Sequence, residues 1–199
     1  MFQPPERSAE RDAAIEALLP NVPFDGWTVA ALRAAAGPDA DLLFPGGPTD
    51  MIECYCDLGD RRMEEAAYPA IEGLRLSQRV RALIALRLEQ NRPHKDAVRR
   101  ALSVLALPQN TALAIRCTAR TVDTVWHAAG DGSADFSWYT KRAILAGVYG
   151  MTLLFWLGDS SEGDERTLAF LDRRLAGTGR IGSIKRHVKG ALGRLRPAA

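Results

Sequence analysis

The sequence contains no run of about 18 consecutive apolar residues, so no membrane-spanning helix is expected. Cysteine is scarce. Cys54, Cys56 and Cys117 are too few and too odd in number for a disulfide scaffold, which fits a reducing compartment. Cys54 and Cys56 have the spacing of neither a zinc knuckle nor a C-x-x-C redox pair and read as incidental. The three histidines, His94, His127 and His187, lie far apart. No E-x-x-H or H-E-x-x-H occurs, so the carboxylate–histidine sites of di-iron bundles and zinc proteases are absent. Asp123 and His127 stand at i,i+4, but two ligands alone make no metal site. No G-x-S-x-G and no P-loop is present. Gly177–Gly182 matches G-x-G-x-x-G by letters, but no strand precedes it, so it is not a dinucleotide fingerprint. These absences give no reason to expect an enzyme or a cofactor. The first twelve residues lack an apolar segment, and no signal peptide is expected.

What is present is a 199-residue chain with 47% apolar and 25% charged residues, long enough for a real core. Its periodicity is helical throughout. Helices are expected over residues 6–19, 27–36, 50–67, 74–90, 93–107, 110–129, 136–157 and 165–176. Val22–Gly26 is expected as a turn, and Pro45–Pro48 as a break. Thr49 is the expected cap of the helix after that break. The helix over 136–157 has no charge from Ala143 to Leu157 and reads as central and buried. No alternating strand pattern is seen. The organisation expected is a head over 1–67, a helical body over 68–177 and a tail over 178–199.

Charge is uneven along the chain. Residues 178–199 hold six Lys/Arg and no acid, which leaves 20 basic against 24 acidic residues for the remainder. On a helical wheel Ile181, Ile184, Val188, Ala191, Leu192 and Leu195 fall within an arc of roughly 100°. Lys185, Arg186 and Lys189 lie among the residues that fill the rest. This pattern suits a helix at a membrane interface. Packing against the body or a second copy, and nucleic-acid binding, are the other readings.

Gly26-Trp27-Thr28-Val29-Ala30-Ala31-Leu32-Arg33-Ala34-Ala35-Ala36-Gly37, followed by Leu42-Leu43-Phe44 and Asp50-Met51-Ile52, resembles the helix-turn-helix head of TetR-type regulators. In that family the next short helix reads DNA. Here no Lys or Arg stands between Arg33 and Arg61, whereas Asp39, Asp41, Asp50, Glu53, Asp57 and Asp60 do. Phosphate neutralisation supplies most non-specific DNA affinity, so no nucleic-acid partner is expected for the head.

A longer resemblance lies downstream. The segment from Asp123 through Gly130-Asp131-Gly132-Ser133-Ala134-Asp135-Phe136-Ser137-Trp138-Tyr139-Thr140-Lys141-Arg142 to Tyr149 is similar to the signature of the ninth Coq protein family. Val22–Thr28, Ala101–Asn110 and Trp156–Ser161 fit the same family. The resemblance covers roughly residues 15–175. It implies an all-α, TetR-regulator-like helical bundle that tends to dimerise and carries a C-terminal amphipathic helix on the membrane. It further implies a non-catalytic accessory protein of ubiquinone biosynthesis. Such a protein binds an isoprenoid quinone precursor or phospholipid and presents it to the di-iron demethoxyubiquinone hydroxylase. By match to the family's W-Y-x-K-R segment, Trp138, Tyr139, Lys141 and Arg142 fall on the hydroxylase-docking patch.

The apolar helix supplies the candidate lipid-binding residues Phe136, Leu145, Tyr149, Leu153 and Trp156, for each of which plain core is the alternative. Ile181, Ile184, Lys185, Arg186, Val188, Lys189, Leu192 and Leu195 are the candidate membrane-binding set. The composition and the lack of a presequence suggest a bacterial cytoplasmic protein, peripheral on the inner face of the cytoplasmic membrane. A TetR-like regulator with a lipophilic effector is the alternative function. A small enzyme ranks third.

Overall fold

The computed structural model describes residues 3–132 and 137–177. Among these residues there is no strand, as the periodicity implies. The chain divides into two compact units, Met1–Ala146 and Gly147–Ala199.

In the first unit, Ser8 caps α1 (Ala9–Leu18) by accepting from the Arg11 N–H at 3.1 Å. The expected turn at residues 22–26 is a four-residue helix, α2 (Val22–Asp25). Thr28 caps α3 (Val29–Ala36), its Oγ1 accepting from the Ala31 N–H at 3.1 Å. The next element, Ala40–Leu43, is a single 3-10 turn. α4 (Pro48–Glu65) begins one residue before Thr49. Thr49 is therefore inside the helix and does not cap it; its hydroxyl donates back to the Gly46 carbonyl at 3.0 Å. Pro48 sets the first helical φ, and Gly47 before it takes φ +63°, a conformation side-chain-bearing residues rarely adopt. α5 (Ala67–Ile71), α6 (Leu76–Asn91), α7 (Lys95–Leu105) and α8 (Thr111–Ala128) follow.

α4 is the centre of this unit and packs on α1, α6 and α8. Met51, Ile52 and Met63 of α4 are buried with Leu83, Ile84 and Leu88 of α6. Trp27 ties the head to α7. It is buried, donates its indole N–H to the Ala97 carbonyl at 3.1 Å, and lies 5.3 Å from the Tyr55 ring. A buried Trp that meets both its area and its hydrogen-bond requirement is a strong local anchor.

The core also contains charge. Arg11, 3% exposed, donates to Asp50 at 2.5 Å and to the Leu43 carbonyl. Arg87 of α6 donates its Nε to Asp60 at 3.2 Å and an Nη to the Cys56 carbonyl at 3.2 Å. Gly59 makes room for it: a Cβ there would stand 2.3–2.4 Å from the guanidinium.

α9 (Ser137–Leu157) begins in the first unit and runs into the second. In the second unit a last helix, α10, covers residues 165–177. Phe155 and Phe170 stack at 4.6 Å, nearly parallel. Asp159 organises the start of α10: its two oxygens accept the N–H and hydroxyl of both Ser161 and Thr167 at 2.6–2.9 Å. Among the described residues no helix is long and apolar enough to cross a membrane.

Candidate functional site

An apolar cleft of about 690 Å³ opens in the first unit, bounded by the end of α7, one face of α8 and the first turns of α9. Its floor is written into α8. Thr111, Ala114, Ile115, Thr118, Ala119, Val122 and Asp123 line it, a stripe at helical spacing made largely of small side chains. Small residues on this face leave a groove where larger ones would fill it. Leu105 and Ala106 close one end. The opposite wall is Trp138, Tyr139, Arg142, Ala143 and Ala146 of α9. The volume falls within the range of roughly 300–1,000 Å³ usual for small-molecule sites.

The polar groups are few and ordered. Arg142 donates its Nε to Asp123 at 2.6 Å, joining α9 to α8. Its guanidinium lies over the Trp138 ring, 3.8 Å from the centroid. Trp138 and Tyr139 meet edge to face at 4.7 Å. The Arg142 Nη1 is buried without a hydrogen-bond partner among the described residues. Tyr139 is 69% exposed and Ile115 is 56% exposed, so the rim presents two large apolar side chains to solvent. Exposed aromatics beside an arginine are the common anchors of recognition surfaces. Lys141 turns to other partners: it pairs with Asp131 at 2.8 Å and lies 5.6 Å from the Trp126 ring centroid.

The geometry thus brings together three of the four candidate docking residues, Trp138, Tyr139 and Arg142, on the wall of the apolar cleft. The candidate lipid residues stand elsewhere. Leu145, Tyr149 and Trp156 are buried and Leu153 is half-buried, and none of the four lines this cleft. Phe136 lies outside the described residues. So does the whole candidate membrane set from Ile181 to Leu195. The α8 stripe was missed by sequence reasoning. Its signal was the recurrence of small residues from Thr111 to Val122, which reads equally well as close helix packing.

A smaller polar cleft of about 310 Å³ lies across α4 and α8, with Arg7, Asp57, Asp60, Arg61, Arg120 and His127 on its walls. Its charges are mutually engaged. Asp57 accepts from Arg7 at 2.7 and 2.8 Å and from Arg61 at 3.0 Å, and Arg61 also reaches Asp12 at 2.6 Å. The buried Asp60 also accepts from the Thr121 hydroxyl at 2.9 Å. Burial pushes its carboxyl up to about 6, against the opposing pull of Arg87 and Thr121. The Asp123–His127 pair makes no ligand set: Asp123 holds Arg142, and His127 faces Glu64 at 3.8 Å. Among the described residues no group of three or more His, Cys, Asp or Glu is placed to hold a metal ion.

Fold and site together define the class: an all-helical, TetR-like protein with an apolar cleft between α8 and α9. The crystal structure of the TetR transcriptional regulator from Nitrosomonas europaea ATCC 19718 superposes with a TM-score of 0.69 at 24% identity, over 85% of this chain and 97% of that one. The sequence profile of the COQ9 family matches residues 111–182, the segment that holds α8 and α9. The mitochondrial ubiquinone biosynthesis protein COQ9 of Schizosaccharomyces pombe is 32% identical over 84% of this chain and 69% of its own length. The rat protein of that name is 34% identical over 88% of this chain and 60% of its own, and the human one 32% over 88% and 59%. The chain belongs to the COQ9 family. It spans about three fifths of the length of the rat and human relatives. These relatives are mitochondrial proteins by name, which overturns the expectation of a bacterial cytoplasmic location.

Proposed function

We propose that this chain is a non-catalytic, lipid-binding accessory protein of ubiquinone biosynthesis. It takes the apolar chain of a polyprenyl quinone precursor, or of a phospholipid, into the α8–α9 cleft. It presents the head group to the di-iron demethoxyubiquinone hydroxylase. The observation that carries this reading is the cleft itself, an apolar groove with Trp138, Tyr139 and Arg142 on its wall. Family membership supports the pathway, since the relatives are named for ubiquinone biosynthesis.

The energetics favour such a carrier. A polyisoprenoid is held in the bilayer by roughly 0.8 kcal/mol per buried CH₂. A second apolar site lowers the cost of exposing its head group to an enzyme. Trp138, Tyr139 and Arg142 then form the mouth where lipid and hydroxylase meet, while Lys141 braces Asp131 beside it. The basic tail, with its apolar face from Ile181 to Leu195, brings the protein to an anionic membrane surface. Pairing of two copies belongs to the same reading.

The TetR-like fold also admits a DNA-binding reading, and the head argues against it. The element in the recognition position is a 3-10 turn, and Asp41 holds Arg33 in a two-point ion pair at 2.6 and 2.8 Å.

Solvent extraction of the purified protein, followed by mass spectrometry, tests the reading. Wild type is expected to carry quinone precursors or phospholipid. Ala143→Trp, which fills the groove from an exposed helical position, is expected to lose them while keeping its helical circular dichroism. Lipid-free wild type, or undiminished lipid in a folded Ala143→Trp variant, would refute the cleft as the carrier site. Pull-down of the hydroxylase by Arg142→Glu is expected to weaken. Unchanged capture would remove the docking role.

A further inference from the structure

Arg120 is a second arginine on the wall of the apolar cleft. It stands on α8 one turn before Asp123, so Arg120 and the Asp123–Arg142 pair fall on the same stretch of wall. The Arg120 side chain is only 9% exposed. Its Nη1 donates to Glu53 at 2.7 Å and to the Gln3 carbonyl at 3.2 Å, and its Nη2 reaches the Cys117 sulfur at 3.7 Å. Its Nε is buried with no acceptor among the described residues, and the same is true of the Arg142 Nη1. Two guanidinium groups that line one cleft therefore each keep a buried donor unused.

The charge balance points the same way. Arg116 and Arg120 share Glu53, at 3.4 and 2.7 Å, while Arg142 takes Asp123 at 2.6 Å. Three cations thus share two carboxylates. A buried charged donor without an acceptor is costly, and such groups are normally satisfied by protein, water or ligand. Carboxylate and phosphate oxygens match a guanidinium best. Arg120 and Asp123 also line the smaller polar cleft, so at these two residues the apolar cleft borders polar surroundings. A chain lying in the apolar cleft has its natural polar end there.

We propose that Arg120 and Arg142 form an oxyanion subsite of the α8–α9 cleft. It takes amphiphiles whose apolar chain ends in a carboxylate or a phosphate in preference to those with a neutral head. This inference rests on the reading of the cleft as a lipid site and names the class of head group that site takes. The oxyanion accepts from the Arg120 Nε and the Arg142 Nη1, and its charge meets the surplus cation. Asp123 adds a carboxylate to the same wall, but its charge is engaged by the Arg142 Nε. A hydroxyl or a quinone carbonyl can accept the same N–H groups. It brings no charge, however, and its bonds are the weaker.

The test uses the full chain, stripped of lipid and loaded with the neutral dye Nile red. Dodecanoate, dodecyl phosphate and dodecanol then displace the dye below their micelle concentrations, at a pH where dodecanoate is ionised. At least one of the two anions is expected to bind about tenfold or more tighter than dodecanol. Preference for dodecyl phosphate assigns a phospholipid-type head and preference for dodecanoate a carboxylate head, and either supports the subsite. Arg120→Gln is expected to keep its helical circular dichroism and its dodecanol affinity, and to lose about tenfold for the preferred anion. Because that change leaves Glu53 with Arg116 alone, Glu53→Gln combined with Arg120→Gln repeats the measurement with both charges removed. Equal affinity for all three probes in folded wild type, or an anion preference that survives both variants, would overturn the subsite and leave the lipid reading standing. Failure of all three to displace the dye would overturn both.

Discussion

Asp123 and Arg142 meet at 2.6 Å across α8 and α9, and this one ion pair sets the position of the arginine that stacks on Trp138. The first residue lies on the floor of the apolar cleft and the second on its wall. The aromatic wall is therefore held by electrostatics as well as by packing.

Asp123→Ala is expected to cost about 1–3 kcal/mol in urea unfolding, because it leaves a half-buried guanidinium without its carboxylate. The same variant is expected to reduce hydroxylase capture as Arg142→Glu does. Arg142→Lys should not restore either property fully, since an ammonium cannot donate to Asp123 and lie flat on Trp138 at once. Wild-type stability and capture in Asp123→Ala would show that the pair is decorative.

Gly59 is expected to tolerate no side chain while Arg87 stays in place. Gly59→Ala should lose about 2–4 kcal/mol, since the new Cβ displaces a buried cation held by Asp60 and the Cys56 carbonyl. Combining it with Arg87→Met should give a total loss smaller than the sum of the two single losses. Strict additivity in that double-mutant cycle would refute the close approach.

Asp60 gives a pH dependence with a definite sign. Its folded carboxyl titrates at about 6, above the 3.8 ordinary for the group. Between about pH 4 and pH 6 the folded state therefore holds more protons here than the unfolded state. The contribution of this residue to stability falls as pH rises through that window. The stability of wild type relative to Asp60→Asn is expected to fall by up to about 3 kcal/mol from pH 4 to pH 6.5. Arg87, Thr121 and Asp57, the groups that act on it, remain in both proteins. A flat difference would mean that Asp60 titrates as an ordinary surface carboxylate does.

Asp159 works in the opposite direction. Burial tends to raise its carboxyl, but the hydrogen bonds from Thr167 and Ser161 prevail and hold it well below the usual range. A depressed carboxyl contributes stability that is complete above the unfolded value of about 4 and fades as pH falls below it. Asp159→Ala is expected to lose about 1–3 kcal/mol at neutral pH, read by thermal melting of the α9–α10 signal. The loss should shrink towards pH 2. A pH-independent loss would point to packing alone.

The resemblance to the ninth Coq family, the all-helical class and the longer helices, to within about three residues, were legible in the residues, whereas the short α2 and α5 were not. Local signals carry them, chiefly apolar recurrence at 3.6-residue spacing and proline and glycine breaks; the caps Ser8 and Thr28 emerged only in the structure, and Thr49, the expected cap, lies inside α4. The acid-rich stretch between Arg33 and Arg61, free of lysine and arginine, was legible for the same reason, since charge needs no coordinates to be counted. Trp138, Tyr139 and Arg142 were singled out by motif, yet their place on the wall of an apolar cleft was not. That depends on which face of α8 they oppose, and α8 contributes a stripe of small residues that looks like ordinary packing until α9 is laid beside it. Helices are decided by interactions within about four residues. Clefts and buried ion pairs are decided by long-range packing. So the sequence by itself determined the elements and the family. The tertiary structure alone decided which faces meet, and with them the cleft and the Asp123–Arg142 brace.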